Sequence, residues 1–167
     1  RLDLPPERRQ ALSDFRIAVM TGDSIHPVDR DTQAAMEDVA AHLESEGATV
    51  LRDPALPLPS NELWLLYLTL LRGATSARFS EADAEAAAEQ AAAMNPGDMG
   101  YGAVMRRSVS QRHFKWLQAN DRRERLRGLW RGFFGDVDAL ITPMMATAAF
   151  PHSRGIAKQD QVFDVDG

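Results

Sequence analysis

The chain of 167 residues contains no cysteine. Disulfides, thiol nucleophiles and thiolate metal sites are excluded together, and cytoplasmic residence is the default expectation. Lysine is nearly absent, occurring at Lys115 and Lys158 alone. Long apolar runs are missing as well. The longest, residues 63–71 (LWLLYLTLL), falls far short of the roughly 18 residues that a membrane span needs, so no membrane partner is expected. The opening RLDLPPERR has neither a methionine nor the apolar segment of a leader, and the chain reads as a piece of something longer.

Recognisable reactive patterns are missing too. The histidines at positions 26, 42, 113 and 152 fall in different segments with no ligand spacing, which argues against a metal site. No Gly-x-Ser-x-Gly elbow occurs. The glycine-bearing NPGDMGYG has the wrong spacing for a dinucleotide fingerprint, and a helix rather than a strand precedes it. The acidic positions Glu81, Asp83, Glu85 and Glu89 lie on an alanine-rich helix. They read as a solvated face, because general acid–base work requires a poorly solvated carboxylate. No cofactor is expected. From these residues alone no catalytic constellation emerges.

What is present is an ordinary globular composition, 44% apolar and 26% charged, fitting residues 1–167 as one domain or part of a larger one. Net charge is −5, unevenly spread: residues 106–131 carry nine basic and two acidic side chains. A basic stripe can bind nucleic acid. Aromatic and leucine positions interleave with it at helical spacing, and the rest of the chain is acidic. An amphipathic helix with a solvated basic face is therefore expected, with no nucleic-acid partner.

Along the chain, residues 1–14 read as a lead-in and residues 151–167 as a less ordered tail. Residues 16–20 (RIAVM) form a strand ended by Thr-Gly-Asp. Asp29 is placed to cap a helix whose inner face is Ala35, Val39 and Leu43, with Met36 and Ala40 beside them. Gly47 stops it, and residues 48–52 (ATVLR) form a second strand. This βαβ unit should have a right-handed crossover. Ser60 or Asn61 should cap a helix over 61–72, apolar nearly all round and buried on more than one side. Residues 81–94 form a further helix ended by Asn-Pro-Gly. Ser108-x-x-Gln111 is a capping-box pattern opening a long helix to about Phe134. Its expected buried side is Phe114, Leu117, Leu126, Leu129, Trp130 and Phe133. Residues 139–142 (ALIT) form a third strand. The expected fold is α/β and helix-rich, with a small parallel sheet of order 2-1-3 flanked by helices. The final QVFDVDG reads as the first strand of an Asp-Gly hairpin.

Four stretches, taken in order, resemble the amidase signature family of hydrolases. They are LDLPPERRQALSDFRIAVM followed by Pro27-Val28-Asp29; LESEGATV; QRHFKWLQANDRRERLRGLWRGFFGDVDALITPMMATAAFPH; and VFDVDG. The match covers the central-to-C-terminal part of the family pattern and is weakest across residues 73–100. The resemblance implies amide hydrolysis by a Ser-cis-Ser-Lys triad acting on a small-molecule amide. However, no Gly-Gly-Ser-Ser-Gly-like loop is present, and neither Lys115 nor Lys158 has the catalytic context. No catalytic residue carries over. The resemblance therefore implies an inactive fragment whose partner is the remainder of the amidase fold, with self-association through uncovered apolar surface.

One loop stands out. After the third strand, DALITPMMATAAFPH continues without charge where solvent should be. Ligands of open α/β sheets sit beyond the carboxyl ends of strands. Thr142, Pro143, Met144 and Met145 are accordingly the candidate wall of a substrate pocket, with packing against other protein as the competing explanation. The residues leave two other functional readings open: a free-standing non-catalytic interaction module and a flavodoxin-like nucleotide-binding domain. The second is disfavoured because no phosphate-cradling turn follows any strand.

Overall fold

The computed structural model describes residue 6 and residues 8–23, 25–150, 152–156 and 161–166. Part of the expected lead-in and tail, including Lys158 and the final glycine, lies outside these residues. Two compact units are present: residues 1–56, 130–153 and 162–167 form the first, and residues 57–129 and 154–161 the second.

The first unit holds a parallel sheet. β1 (Arg16–Val19) lies between β2 (Thr49–Arg52) and β3 (Ala139–Ile141), giving the order β2-β1-β3. The α/β fold and the strand order expected from the sequence are both observed. Ile17 pairs with Val50 on one side and Ala139 on the other, and Val19 with Arg52 and Ile141. A central parallel strand has no solvated face, which is why Ile17, Ala18 and Val19 are all buried. Before β1, Leu12–Asp14 form a single 3-10 turn inside the expected lead-in.

α1 (Arg30–Ser45) follows β1, and the Asp29 carboxylate caps it by accepting the Thr32 N–H at 2.7 Å. Its inner face is set one residue round from the expected stripe. Met36, Ala40 and Leu43 pack on Ile17 and Val19, whereas Ala35 and Val39 are exposed. Successive helical residues are turned by about 100°, so the stripe 36-40-43 leaves positions 35 and 39 at its edge. The helix ends in a Schellman motif: Ala48 N–H donates to Leu43 and Gly47 N–H to Glu44. Gly47 takes φ +91°, and a Cβ there would stand 3.1 Å from Ser13 Cβ. Arg52 of β2 then grips Glu44 with two hydrogen bonds, at 2.6 and 3.0 Å, and Glu37 with a third.

The second unit is helical. α2 (Ser60–Thr75) is preceded by Pro59 at the cap position, in place of the expected Ser60 or Asn61. Proline fixes the extended entry, and its carbonyl accepts the N–H groups of Glu62 and Leu63. Leu66 and Leu68 are both buried; two positions apart, they lie on nearly opposite sides of the helix, so α2 is covered from two directions. Tyr67 between them is exposed. α3 (Glu81–Ala93) is opened by a capping box between Ser80 and Asp83. α4 (Tyr101–Val109) packs against both α2 and α3 through its buried Ala103, Val104 and Ser108.

The single long helix expected from Ser108 is thus two. Ser108 lies in the last turn of α4, where its hydroxyl donates to the Val104 carbonyl at 2.7 Å. Gln111, the other half of the supposed cap, sends its amide to the carbonyls of Thr69 and Ser108. α5 (His113–Asp136) starts two residues later. Of its six expected buried residues, Leu126 alone is fully buried; Trp130 and Phe133 are half-buried, and Phe114, Leu117 and Leu129 are exposed. Six cationic side chains, Lys115, Arg122, Arg123, Arg125, Arg127 and Arg131, crowd round α5, leaving no broad apolar stripe for one partner to cover. Nor do residues 161–166 form the expected strand. Asp166 takes φ +64°, and its carboxylate accepts the Arg30 N–H at 3.1 Å. Among the described residues, no helix is long and apolar enough to cross a membrane.

Candidate functional site

The sheet positions a cleft in the first unit. Past the carboxyl end of β1 the chain turns through residues 20–28, and past β3 it turns through residues 142–150. Where these loops face each other lies a cleft of about 530 Å³. All four expected wall residues, Thr142, Pro143, Met144 and Met145, line it. Met144 is 96% exposed and Met145 51%. The greasy loop after β3 therefore presents its methionines at the surface of a concavity instead of burying them in a core.

The opposite wall was not anticipated. Met20, Gly22, Asp23, Ile25, His26 and Val28 form it, with Phe163 and Val165 arriving from the C-terminal segment. Its signal in the sequence was available: the Thr-Gly-Asp turn after the first strand leads into another sparsely charged loop. A glycine is required at position 22. Its φ of +149° is disfavoured for other residues, and a Cβ would stand 3.2 Å from Val28 Cγ2.

Short hydrogen bonds hold both walls. Asp23 Oδ1 accepts the N–H groups of Ile25 at 2.8 Å and His26 at 2.7 Å, and His26 Nδ1 stands 3.4 Å from the same oxygen. Thr21 donates its backbone N–H to Asp53, at the end of β2. The Asp29 N–H donates to Ala146 at 2.8 Å, tying the second loop to the start of α1. The Asp29 carboxyl lies below the ordinary range, chiefly because the Thr32 side chain and then its N–H hydrogen-bond the anion. Phe150 and Phe163 pack with ring centroids 4.3 Å apart and ring planes tilted by 53°, fixing the C-terminal segment on the loop.

A second concavity of about 440 Å³ lies behind this loop, with Asp29, Thr147, Phe150 and Asp164 among its lining. The chemistry of the first cleft is mainly apolar contact. Among its described lining residues, Asp23 is the one carboxylate, and no Arg or Lys takes part. Of the other histidines, His42 lies in the last turn of α1, and His113 opens α5 stacked near Trp116. Lys115 Nζ sits 5.4 Å from the centre of the Phe114 ring. Among the described residues, no three His, Asp or Glu side chains come together as a metal-binding group.

The family model described as Amidase matches residues 2–166, nearly the entire chain. No curated protein matches it. With a match of this extent, the chain belongs to the amidase family.

Proposed function

We propose that the chain supplies scaffold and one wall of the acyl-binding pocket in a cytoplasmic enzyme that hydrolyses the C–N bond of a small-molecule amide. The observation that carries this reading is the meeting of Thr142–Met145 with Ile25 and Phe163 around one apolar cleft at the strand ends. In the reaction implied by the family, a serine oxygen attacks the amide carbonyl and backbone N–H groups hold the oxyanion. The amine leaves with a proton, and water then releases the acid from the acyl-serine. The 167 residues hold no glycine- and serine-rich loop and no lysine in a suitable context. The nucleophile, the second serine and the lysine therefore belong to the remainder of the amidase fold.

Two measurements test the proposal. Ammonia release from benzamide and propionamide by the purified chain should not exceed the buffer rate. Hydrolysis that scales with protein concentration would overturn the scaffold role. Titration with benzamide should move the methyl resonances of Met144 and Met145, and unmoved resonances at saturating ligand would refute the pocket wall.

A further inference from the structure

The helical unit carries a concavity of its own, about 440 Å³, lined by α2, α3 and α4. Two half-buried arginines line it, Arg72 from α2 and Arg106 from α4. Their hydrogen bonds run to neutral groups. Arg72 Nη2 donates to the Tyr101 hydroxyl, with the guanidinium carbon 5.6 Å from the centre of that ring. Arg106 donates through Nε to the Gln90 side-chain oxygen at 2.8 Å and through Nη1 to the Gly102 carbonyl at 3.2 Å. Among the described residues neither guanidinium forms an ion pair. Arg72 Nε is shielded from water and has no hydrogen-bond partner among them. The third charge of the lining is Asp83, whose Oδ2 accepts the Ser80 N–H at 3.1 Å and the Ser80 hydroxyl at 2.6 Å. It is committed to the cap of α3. Two cations against one anion leave a single positive charge on the described lining, and Phe79, Met105 and Val109 supply apolar wall beside it.

We propose that this concavity binds a small monocarboxylate with an apolar body. A partly desolvated cation without a counter-ion is stabilised by an anion set beside it. The carboxylate accepts from the guanidinium groups still available, Arg72 Nη1 and Arg106 Nη2, in charge-assisted bonds that suit the planar arginine fork. The body of the ligand lies on Phe79, Met105 and Val109 and gains by burying its surface there. A second negative charge on the ligand would exceed the one unbalanced positive charge and stand near Asp83. Arg72 and Arg106 are thus assigned as ligand-binding residues. The site is separate from the amide cleft and stands whether or not that cleft takes an acyl group.

The test titrates the 167-residue chain with benzoate, with benzyl alcohol as the uncharged ring and with inorganic phosphate as the anion without a body. Binding is read from the Met105 methyl resonance in methyl-labelled protein, assigned with Met105→Leu. Benzoate should bind at least about tenfold more tightly than either of the other probes. Arg72→Gln and Arg106→Gln should each weaken benzoate at least about fivefold and leave benzyl alcohol within about twofold. Should either variant not fold, as judged by far-UV circular dichroism, salt replaces it. Benzoate affinity in the unaltered chain should then fall as NaCl rises from about 0.02 to about 0.5 M, while that of benzyl alcohol holds. A Met105 resonance unmoved by benzoate would overturn the site. Equal affinities for benzoate and benzyl alcohol, or a preference unmoved by the arginine variants and by salt, would overturn the role of the two arginines. Phosphate binding as tightly as benzoate would overturn the apolar body.

Discussion

Among the described residues Val19 is the largest side chain with no exposure at all, and Val19→Ala measures what the small sheet contributes. The residue sits in the middle strand, paired with Arg52 and Ile141, and its side chain joins Ile17, Ala40 and Ala48 in the core. Truncation deletes two buried methyl groups, worth about 0.8 kcal/mol each in transfer free energy. Close-packed neighbours on three sides limit collapse, and a residual void of about 40 Å³ at about 24 cal/mol per Å³ adds about 1 kcal/mol. The expected loss is therefore about 2–3 kcal/mol. Urea unfolding followed by far-UV circular dichroism reads it: with a slope of about 2 kcal/mol per M, the midpoint falls by about 1–1.5 M. Val162→Ala is the control, since Val162 is 86% exposed, and it should change stability by less than about 0.5 kcal/mol. A Val19→Ala midpoint within about 0.3 M of the parent, or equal losses in both variants, would refute the assignment of this core.

Two glycine substitutions should act in opposite directions. Gly73→Ala places a Cβ 2.6 Å from the Trp116 ring and 2.8 Å from the Gln111 amide, two groups that donate to α2 carbonyls, so a loss of about 1–3 kcal/mol is expected by thermal unfolding. Gly128→Ala meets nothing within 4 Å and should stabilise α5 by up to about 1 kcal/mol. Acid stability tests Asp138, whose carboxyl lies below its ordinary 3.8, first because it accepts the Arg16 N–H and then because of Arg9. The unfolded chain binds that proton more readily, so the stabilisation is present above the ordinary value and is lost as pH falls through the folded one. Asp138→Asn should accordingly lose less stability than the parent between about pH 5 and about pH 2, measured by urea titration at each pH. Finally, the exposed Phe114, Leu117, Leu129 and Met144 should drive self-association; sedimentation velocity giving a clean monomer at high concentration would count against it.

How much of this was legible in the sequence follows the range of the forces involved. β1 could be read because a central strand needs an unbroken apolar run. α1 was signalled at both ends by Asp29 and Gly47, whose side-chain cap and positive φ are local requirements. The 2-1-3 order was expected and is observed, although the short βαβ crossover alone leaves open which edge the third strand joins. The cleft was half legible: Thr142–Met145 announced themselves as uncharged residues beyond a strand end. The facing loop of Met20, Ile25 and His26 carried a similar sparsely charged signal, but its meeting with Phe163 and with the β3 loop joins residues far apart in the chain.

The errors lie where long-range packing outvotes a local pattern. Ser108 and Gln111 satisfy a capping motif on paper. The burial of Ala103, Val104 and Ser108 against α2 and α3 nevertheless carries the helix through Ser108, and Gln111 is spent on the Thr69 carbonyl. The rotation of α1 from Val39 to Ala40 has the same origin, since neighbouring positions in one apolar stripe differ little in hydrophobicity and a small side chain lets helix and sheet approach. By itself the sequence determined the three strands, the Asp29 cap and Gly47 stop of α1 and the apolar loop, all of which rest on interactions within a few residues. Only the tertiary structure decided which faces are covered and that Asp23 stands opposite the methionines, because both depend on contacts that the chain closes over more than a hundred residues.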